Sequence, residues 1–429
     1  VNYSEHSFPR PRILGVLSTD WNRNPDFAGV YSYLRPGGTP ADRERLAGEI
    51  APRLWLAGEY TWAAGPGTLH GAFFSGERAA RQVLASGLAG PASVLVIGAG
   101  LAGLAAARCL HRAGVAVRLL EAGPHAGGRA RCDSRLGMPL PLGGAWLHGE
   151  QGHPLAERVS YIASGSWDYA NTYILGQGRL EPRLYERLQA RLAGIEQQLD
   201  QQPSAADTCL RDSLAAIDLA DCDRLERLVL NSWLRLEYAS LVSAPLAELS
   251  TRHRAEDFHL AGSNQLITGG LSEFVCELAA GLDIHFGQRV VQLQSAPQQW
   301  LVHCEQDEVW SADAVIVATP VAPVRDQRLR IQPELPAPIR QALSRIGSGC
   351  VSKTFFHCER QAWPAGRGFM LAAEEPPVFD SLVDVSDVAG VPMLCGFASG
   401  EQALRVEAMS DAERCQALVQ LMTEAGIWS

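Results

Sequence analysis

The chain has 429 residues, 47% hydrophobic and 20% charged, with 37 Lys and Arg against 47 Asp and Glu, giving a formal net charge of -10. That length can bury one large core or two ordinary ones, so a two-domain enzyme is expected and a small stapled scaffold is excluded. The acidic balance disfavours a nucleic-acid surface and mildly favours cationic ligands, and no uncharged apolar run is long enough to cross a bilayer.

In chain order, the start "VNYSEHSFPRPR" lacks the charged start, apolar stretch and cleavage site of a secretory leader. The ten cysteines fall in no CxxC pair and no Cys/His cluster of metal-binding spacing, so a cytoplasmic protein with mostly reduced core cysteines and no metal is expected. The small, Gly/Pro-containing stretch Ala85 to Ser93 reads as a linker. Val94 to Ile97 then predicts a strand, "GAGLAG" a tight turn, the Ala/Leu-rich run to Ala113 a helix stopped by Gly114, and Val115 to Leu120 a second strand. Residues 151–260 read as a mostly helical insertion. Leu184, Leu188, Leu192, Ile195 and Leu199 recur every three or four residues as one buried stripe, and helical periodicity continues through "LERLVLNSWLRLEYASLV". Further strands are predicted within "GLDIHFGQRVVQLQ" and at "ADAVIVATP", Ala312 to Pro320.

Gly98, Gly100 and Gly103 form GxGxxG between a strand and a helix. The first glycine permits the turn, the second lets a pyrophosphate approach the backbone, and the third lets helix pack on strand, with phosphate charge at the helix N-terminus. Glu121 ends the second strand, where a carboxylate can accept hydrogen bonds from an adenosine ribose. The spacing alone is weak; the strand, helix and carboxylate together point to a dinucleotide. Gly127, Gly128 and Arg129 follow, and an Arg held by glycines beside a pyrophosphate adds a charge-assisted contact.

With those residues the sequence resembles the flavin-containing amine oxidases, a family that includes monoamine and polyamine oxidases and flavin histone demethylases. "LPLGGAWLHGEQGHPL" is similar to the segment along the flavin, closest to the polyamine oxidase branch, and assigns Gly143, Gly144, Ala145 and Trp146 to the cofactor. Val290 falls near the adenine, Thr319 on the strand that closes the flavin domain, and "GCVSKTFFHCERQAWP" carries the active-site lysine as Lys353. "LWLAGEYT" and "GTLHGAFFSGERAA" resemble the family's carboxy-terminal signature, here ahead of the glycine turn. They imply that Gly58 and Glu59 meet the pyrophosphate and ribityl region, and that Gly67, Thr68, Leu69 and Ala72 lie at the start of a helix facing the isoalloxazine. The order therefore resembles a circular permutation, which exposed loops and neighbouring ends tolerate; an unrelated domain fused in front is the alternative.

The implied fold is α/β with mixed α+β character: a Rossmann-like, two-dinucleotide-binding FAD domain at 43–150 plus 261–325, and a substrate domain of helices and antiparallel sheet at 1–42, 151–260 and 326–429. The implied activity is FAD-dependent oxidation of a small amine, with dioxygen as second substrate. Val30 stands where some members carry a flavin-linking cysteine, so the FAD is expected to be non-covalent. Tyr31 takes one aromatic-sandwich position or is core packing, and Thr68 replaces the other, which puts monoamine oxidase selectivity in doubt. From spacing alone Lys353 belongs on the solvent face of a strand; the resemblance puts it at the flavin instead. His148 faces substrate or is a structural hydrogen-bond partner, the commoner role of a lone histidine, and Glu237 meets a cation or faces solvent. An L-amino acid oxidase would need a carboxylate anchor, for which Arg235, Arg252 and Arg254 are open. A dehydrogenase or desaturase, and a flavin-bound interaction protein without turnover, complete the alternatives.

Overall fold

The computed structural model describes residues 7–87, 92–165, 169–201, 207–256 and 259–429. Residues 88–91 of the expected linker and 1–6 of the amino-terminal stretch lie outside these.

The predicted strand–turn–helix–strand unit is strand Ser93–Ile97, helix Leu101–Arg112 and strand Ala116–Glu121. It sits in a six-stranded sheet ordered 283–286, 116–121, 93–97, 314–317, 54–56, 49–51, parallel throughout except at the last edge. The strands are continuous apolar runs because both faces are covered. Val94 and Val96 pack with Ala79, Ala80 and Ala106 of helices Leu69–Ala85 and Leu101–Arg112, while Leu95 and Ile97 pack with Leu293, Trp300 and Val302. The latter three belong to a four-stranded sheet at 290–296, 299–304, 309–312 and 330–332. "GLDIHFGQRVVQLQ" thus supplies two strands to two sheets, split at Gly287, and "ADAVIVATP" supplies only Ala314–Val317 as its strand.

A second, seven-stranded sheet is ordered 13–18, 351–358, 393–399, 381–384, 368–372, 172–174, 178–179. It is antiparallel except where Thr172–Ile174 runs parallel to Gly368–Ala372. Helices Gly400–Ala408 and Asp411–Glu424 cover one face through Val406, Leu418 and Leu421. On the other, Val351 and Phe355 pack with Leu140 and Leu142. Lys353 shares that second face by the two-residue period of a strand, which is why it is buried.

Pro182–Asp200 forms the expected amphipathic helix, burying Leu188, Ile195 and Leu199 in a cluster with Trp233 and Ile174 while Leu184 and Leu192 pack at its edge. Helix Arg224–Arg235 does not continue as a plain helix: Leu236–Leu241 is a π-helical turn. Residues 151–260 are also less helical than their periodicity predicts, since Ser160–Ala163 and Thr172–Ile174 are strands that pair with Asn264–Thr268 and Gly368–Ala372, and Gly178–Arg179 adds an edge strand to Thr172–Ile174. The expected domain boundaries cut through pairing: residue 43 lies inside helix Pro40–Leu46, and Arg330–Gln332, beyond 325, pairs with Val290–Ala296. All ten cysteines are free, yet only Cys222, Cys304, Cys358 and Cys395 are fully buried, so fewer are core residues than expected. Among the described residues no helix is long and apolar enough to cross a membrane, and no group of three or more His, Cys, Asp or Glu is placed to hold a metal ion.

Candidate active site

Of the residues assigned in the sequence to the cofactor or to catalysis, leaving aside the open arginine anchors, all but Gly103 line one cavity of about 1560 Å3. That exceeds the roughly 300–1,000 Å3 of a usual ligand pocket. Gly103 lies beneath it, where a Cβ would stand 1.9 Å from the Gly98 carbonyl oxygen, so it governs helix–strand packing. Gly98 has φ +99°, left-handed backbone open to glycine, and its N–H donates to Leu120 O at 2.8 Å. Gly100 precedes the helix, and a Cβ there would meet nothing within 4 Å. The cradle is therefore shaped by contact beneath and left open above, where a pyrophosphate would meet unpaired helix N–H groups.

Glu121 receives Ala99 N–H at 2.7 Å and Gly123 N–H at 2.8 Å. Its burial raises the carboxyl pKa, and the two backbone donors oppose that. Gly128 packs on Gly100, where a Cβ would stand 3.2 Å from its Cα. Arg129 turns from this loop to donate to Val30 O and to pair with Glu59 at 3.2 Å. Glu59 is buried and also accepts from Ser32 Oγ at 2.6 Å and Gly67 N–H at 2.9 Å. This ion pair joins two expected cofactor residues that sequence reasoning left separate.

Gly58 N–H donates to Ser75 Oγ at 2.9 Å. Thr68 caps helix Leu69–Ala85: its Oγ1 receives Gly71 N–H at 2.9 Å and donates to Gly65 O at 2.7 Å. Such a cap is worth about 1 kcal/mol. Leu69 and Ala72 follow on the cavity side, and Tyr31 packs over Gly67 with its hydroxyl donating to Leu241 O at 2.7 Å. Burial raises the Tyr31 pKa, so the phenol stays protonated.

Lys353 is 9% exposed and donates from Nζ to Gly143 O. A Cβ on Gly143 would stand 1.9 Å from Arg129 O, and Gly144 N–H donates to that oxygen at 3.0 Å, so only glycines allow this segment to pass. Nζ lies 5.3 Å from the Trp146 ring centre and 5.7 Å from that of Phe397, the cross-strand partner of Lys353. Burial draws the lysine pKa down to about 8. His148 sits on strand Trp146–His148 with its ring 5.5 Å from His259; burial, then His259, lower its pKa to about 4, so it is neutral at neutral pH. Val290 and Thr319 also line the cavity.

Sequence reasoning raised Glu237 and Arg254 as open candidates and missed the other side chains of the outer wall. The π-helical turn carries Glu237 and Tyr238 into it. Glu237 receives the Tyr169 hydroxyl at 2.6 Å, and Tyr238 donates to Glu196. Arg254 is held by Glu196 at 3.1 Å and by Asp200, and buried Arg43 grips Glu256 through two bonds of 2.8 and 2.6 Å. Of Arg235, Arg252 and Arg254, only Arg254 lines the cavity. The π-helical turn, a device common at functional sites, has no residue signature; Phe397 could have been found only through its pairing with Lys353.

One large cavity thus brings together the glycine turn, the Glu121 carboxylate bonded to that turn's Ala99 N–H, and a buried lysine. The chain belongs to the family described as flavin containing amine oxidoreductase, whose model matches residues 5–84 and 101–426. It is a flavin-dependent oxidoreductase acting on amines. A model for the C-terminal domain of alanine dehydrogenase/PNT also matches residues 68–132, around the glycine turn. The chain is 28% identical to polyamine oxidase 4 of Oryza sativa subsp. japonica over 346 residues, 76% of this chain and 71% of that one. It is 28% identical to polyamine oxidase 2 of Arabidopsis thaliana over 344 residues, 74% and 69% of the two chains. It is also 28% identical to a lysine-specific histone demethylase 1 homolog of Oryza sativa subsp. japonica over 373 residues, 77% of this chain but 42% of that one. A putrescine oxidase solved with putrescine shares the fold at a TM-score of 0.58 and 19% identity, over 78% of this chain and 81% of that chain.

Proposed function

We propose that the chain is an FAD-dependent oxidase of a small cationic amine, with FAD held non-covalently in the large cavity. The observation that carries this is Lys353: a buried cation in the wall of a cavity whose far end is the glycine turn. Gly98, Gly100 and the helix start at Leu101 would hold the pyrophosphate, Glu121 the adenosine ribose and Val290 the adenine side. Arg129, Glu59, Gly58 and Thr319 would flank the middle of the cofactor. Gly143 to Trp146 and the Thr68-capped helix would border the ring. Bound FAD supplies the redox chemistry, accepting a hydride from the carbon beside the amine and passing the electrons to dioxygen.

The chain's own residues bind, orient and exclude water. The capped helix Leu69–Ala85 turns unpaired N–H groups and the positive end of its dipole toward the site, stabilising negative charge there. Lys353, held on Gly143 O, can keep or give a proton near neutral pH. Trp146 and Phe397 shield it, while Tyr31, Thr68 and His148 border the amine. Overall, amine, dioxygen and water give a carbonyl compound, the released amine and hydrogen peroxide.

The outer wall favours a cation over an amino acid carboxylate. Arg254 is already neutralised by two carboxylates, whereas Glu237 has the neutral Tyr169 hydroxyl as partner. We also read the chain order as a circular permutation. Strand Leu54–Leu56 pairs with Ala314–Val317 in the six-stranded sheet and helix Leu69–Ala85 packs on helix Leu101–Arg112 where Gly76 meets Ala102, both ahead of the glycine turn in sequence. The flavin domain would then follow the expected 43–150 plus 261–325, extended to Pro40 and Gln332 so that neither helix Pro40–Leu46 nor the pairing of Arg330–Gln332 is split, with the rest forming the substrate domain.

The test is anaerobic. Purified protein with bound flavin is mixed with polyamines, monoamines and L-amino acids, flavin bleaching is followed, and air is then admitted while peroxide is assayed. Bleaching by polyamines or monoamines, with recovery and peroxide, is expected. Bleaching only by L-amino acids would require a different anchor, and recovery without peroxide would favour a dehydrogenase.

A further inference from the structure

Behind Lys353 lies a second, small cavity of about 20 Å3, bordered by Leu266, Phe355, Val385, Val388 and Cys395. It shares Ala145, Trp146, Lys353 and Phe397 with the large cavity, so these four residues form the partition between the two. The Trp146 and Phe397 rings stand 6.3 Å apart at 51°, with the lysine Nζ over both.

Roughly 10–15 Å3 of such volume suffices for one water-sized probe, and a buried water needs two to four polar partners. The polar side-chain groups of this lining are the lysine ammonium, which spends one of its three N–H donors on Gly143 O, the Trp146 indole N–H, which donates to Ser164 Oγ at 3.0 Å, and the weakly bonding thiol of Cys395, so a water there would have one strong partner. Strands Val351–Cys358 and Met393–Ser399 spend their backbone groups on each other. A dry apolar space of this kind stays empty or takes apolar gas atoms. It is too small for any amine substrate or its side chain.

We infer that this pocket is a dioxygen-holding site, which rests on the oxidase reading above. Dioxygen is the one reactant of that reaction small and apolar enough to occupy it. The occupant waits beside Lys353 and enters the large cavity between Trp146 and Phe397. Binding involves no bond change; its effect is to keep the second substrate at high local concentration where the lysine can assist its reduction.

The test uses xenon, an apolar probe, on crystals of the wild-type protein and of Val388→Phe, whose added ring fills the pocket from helix Ser386–Ala389. Xenon density is expected in the wild-type pocket and absent from the variant. In stopped flow, reoxidation of the reduced variant by dioxygen should slow about tenfold, with the anaerobic rate of flavin bleaching by amine unchanged. Val388→Leu, a smaller change, should lie between and keeps the test valid should the phenylalanine variant fail to fold. No xenon in the wild-type pocket, or wild-type reoxidation in a variant whose pocket is filled, overturns the inference. Wild-type protein that bleaches with amine but does not recover in air sinks the oxidase reading and the dioxygen assignment with it, even when xenon enters.

Discussion

The two ends of the large cavity are built on different plans. At the glycine end the wall is mostly backbone: Gly98, Gly100, Gly103, Gly143 and Gly144 let chain segments pass at close contact, and backbone N–H groups are what it would offer a ligand. At the outer end the wall is side chains from distant elements, with Glu196 paired to Arg254, Glu256 to Arg43 and Glu237 to the Tyr169 hydroxyl. A backbone cradle is rigid and tolerates no added atom beneath it. A side-chain wall can exchange one residue and alter what it accepts.

The sharpest break of that contrast is a pair of substitutions one turn apart. Gly103→Val drives a side chain into Gly98 O and should cost about 3 kcal/mol or more, giving protein without flavin and a lowered midpoint in urea. Gly100→Val projects into open cavity from extended backbone, so the urea midpoint should hold while flavin absorbance is lost. Equal stability losses in both would show that the turn is not shaped for a ligand.

Lys353→Met should slow reoxidation by dioxygen about 100-fold, in the range of a lost proton-transfer group, without lowering stability, since an apolar chain replaces a costly buried charge. The lysine also gives a pH signature. Its folded pKa is about 8 against an ordinary 10.5, so between these values the unfolded chain keeps a proton that the folded chain has released. Stability therefore rises with pH across that window. Urea titrations from pH 7 to 10 should show this rise in wild type and a flatter profile in Lys353→Met.

Glu59→Ala leaves the Arg129 guanidinium without its carboxylate and two buried donors unpaired, at a cost of about 2 kcal/mol. Flavin retention should weaken with it; full occupancy at unchanged stability would detach this pair from the cofactor end. The smallest change belongs to the side-chain wall: Glu237→Gln should raise KM for a cationic amine about tenfold with kcat nearly unchanged and flavin content intact. A selective loss of kcat would instead place Glu237 in the chemistry.

The same contrast explains what the sequence reveals. The glycine end is legible because its function depends on spacing: three glycines, a strand, a helix and a carboxylate all fall within a short segment. Lys353 is legible only through family likeness, since one lysine in "CVSKTFF" reads equally as a surface residue. The Arg129–Glu59 pair, Phe397, Glu196 and Glu256 are not legible, because each depends on contacts between residues distant in the chain, and Glu237 is legible only as an open choice between a cation and solvent. The π-helical turn escapes for a different reason: helical periodicity continues through it while its hydrogen-bond register changes.

The order of strands in the six-stranded sheet bears on how the chain is made. Strand Ala314–Val317 lies between Leu54–Leu56 and Ser93–Ile97. On the ribosome both neighbours emerge early, and helices Leu69–Ala85 and Leu101–Arg112 can already clasp them where Gly76 meets Ala102. The slot between them stays unfilled, with two bare sheet edges, until the distant strand is synthesised and inserts. Through that interval the nascent protein presents pairing edges to any neighbour, which makes translation speed and chaperone cover a condition of its yield.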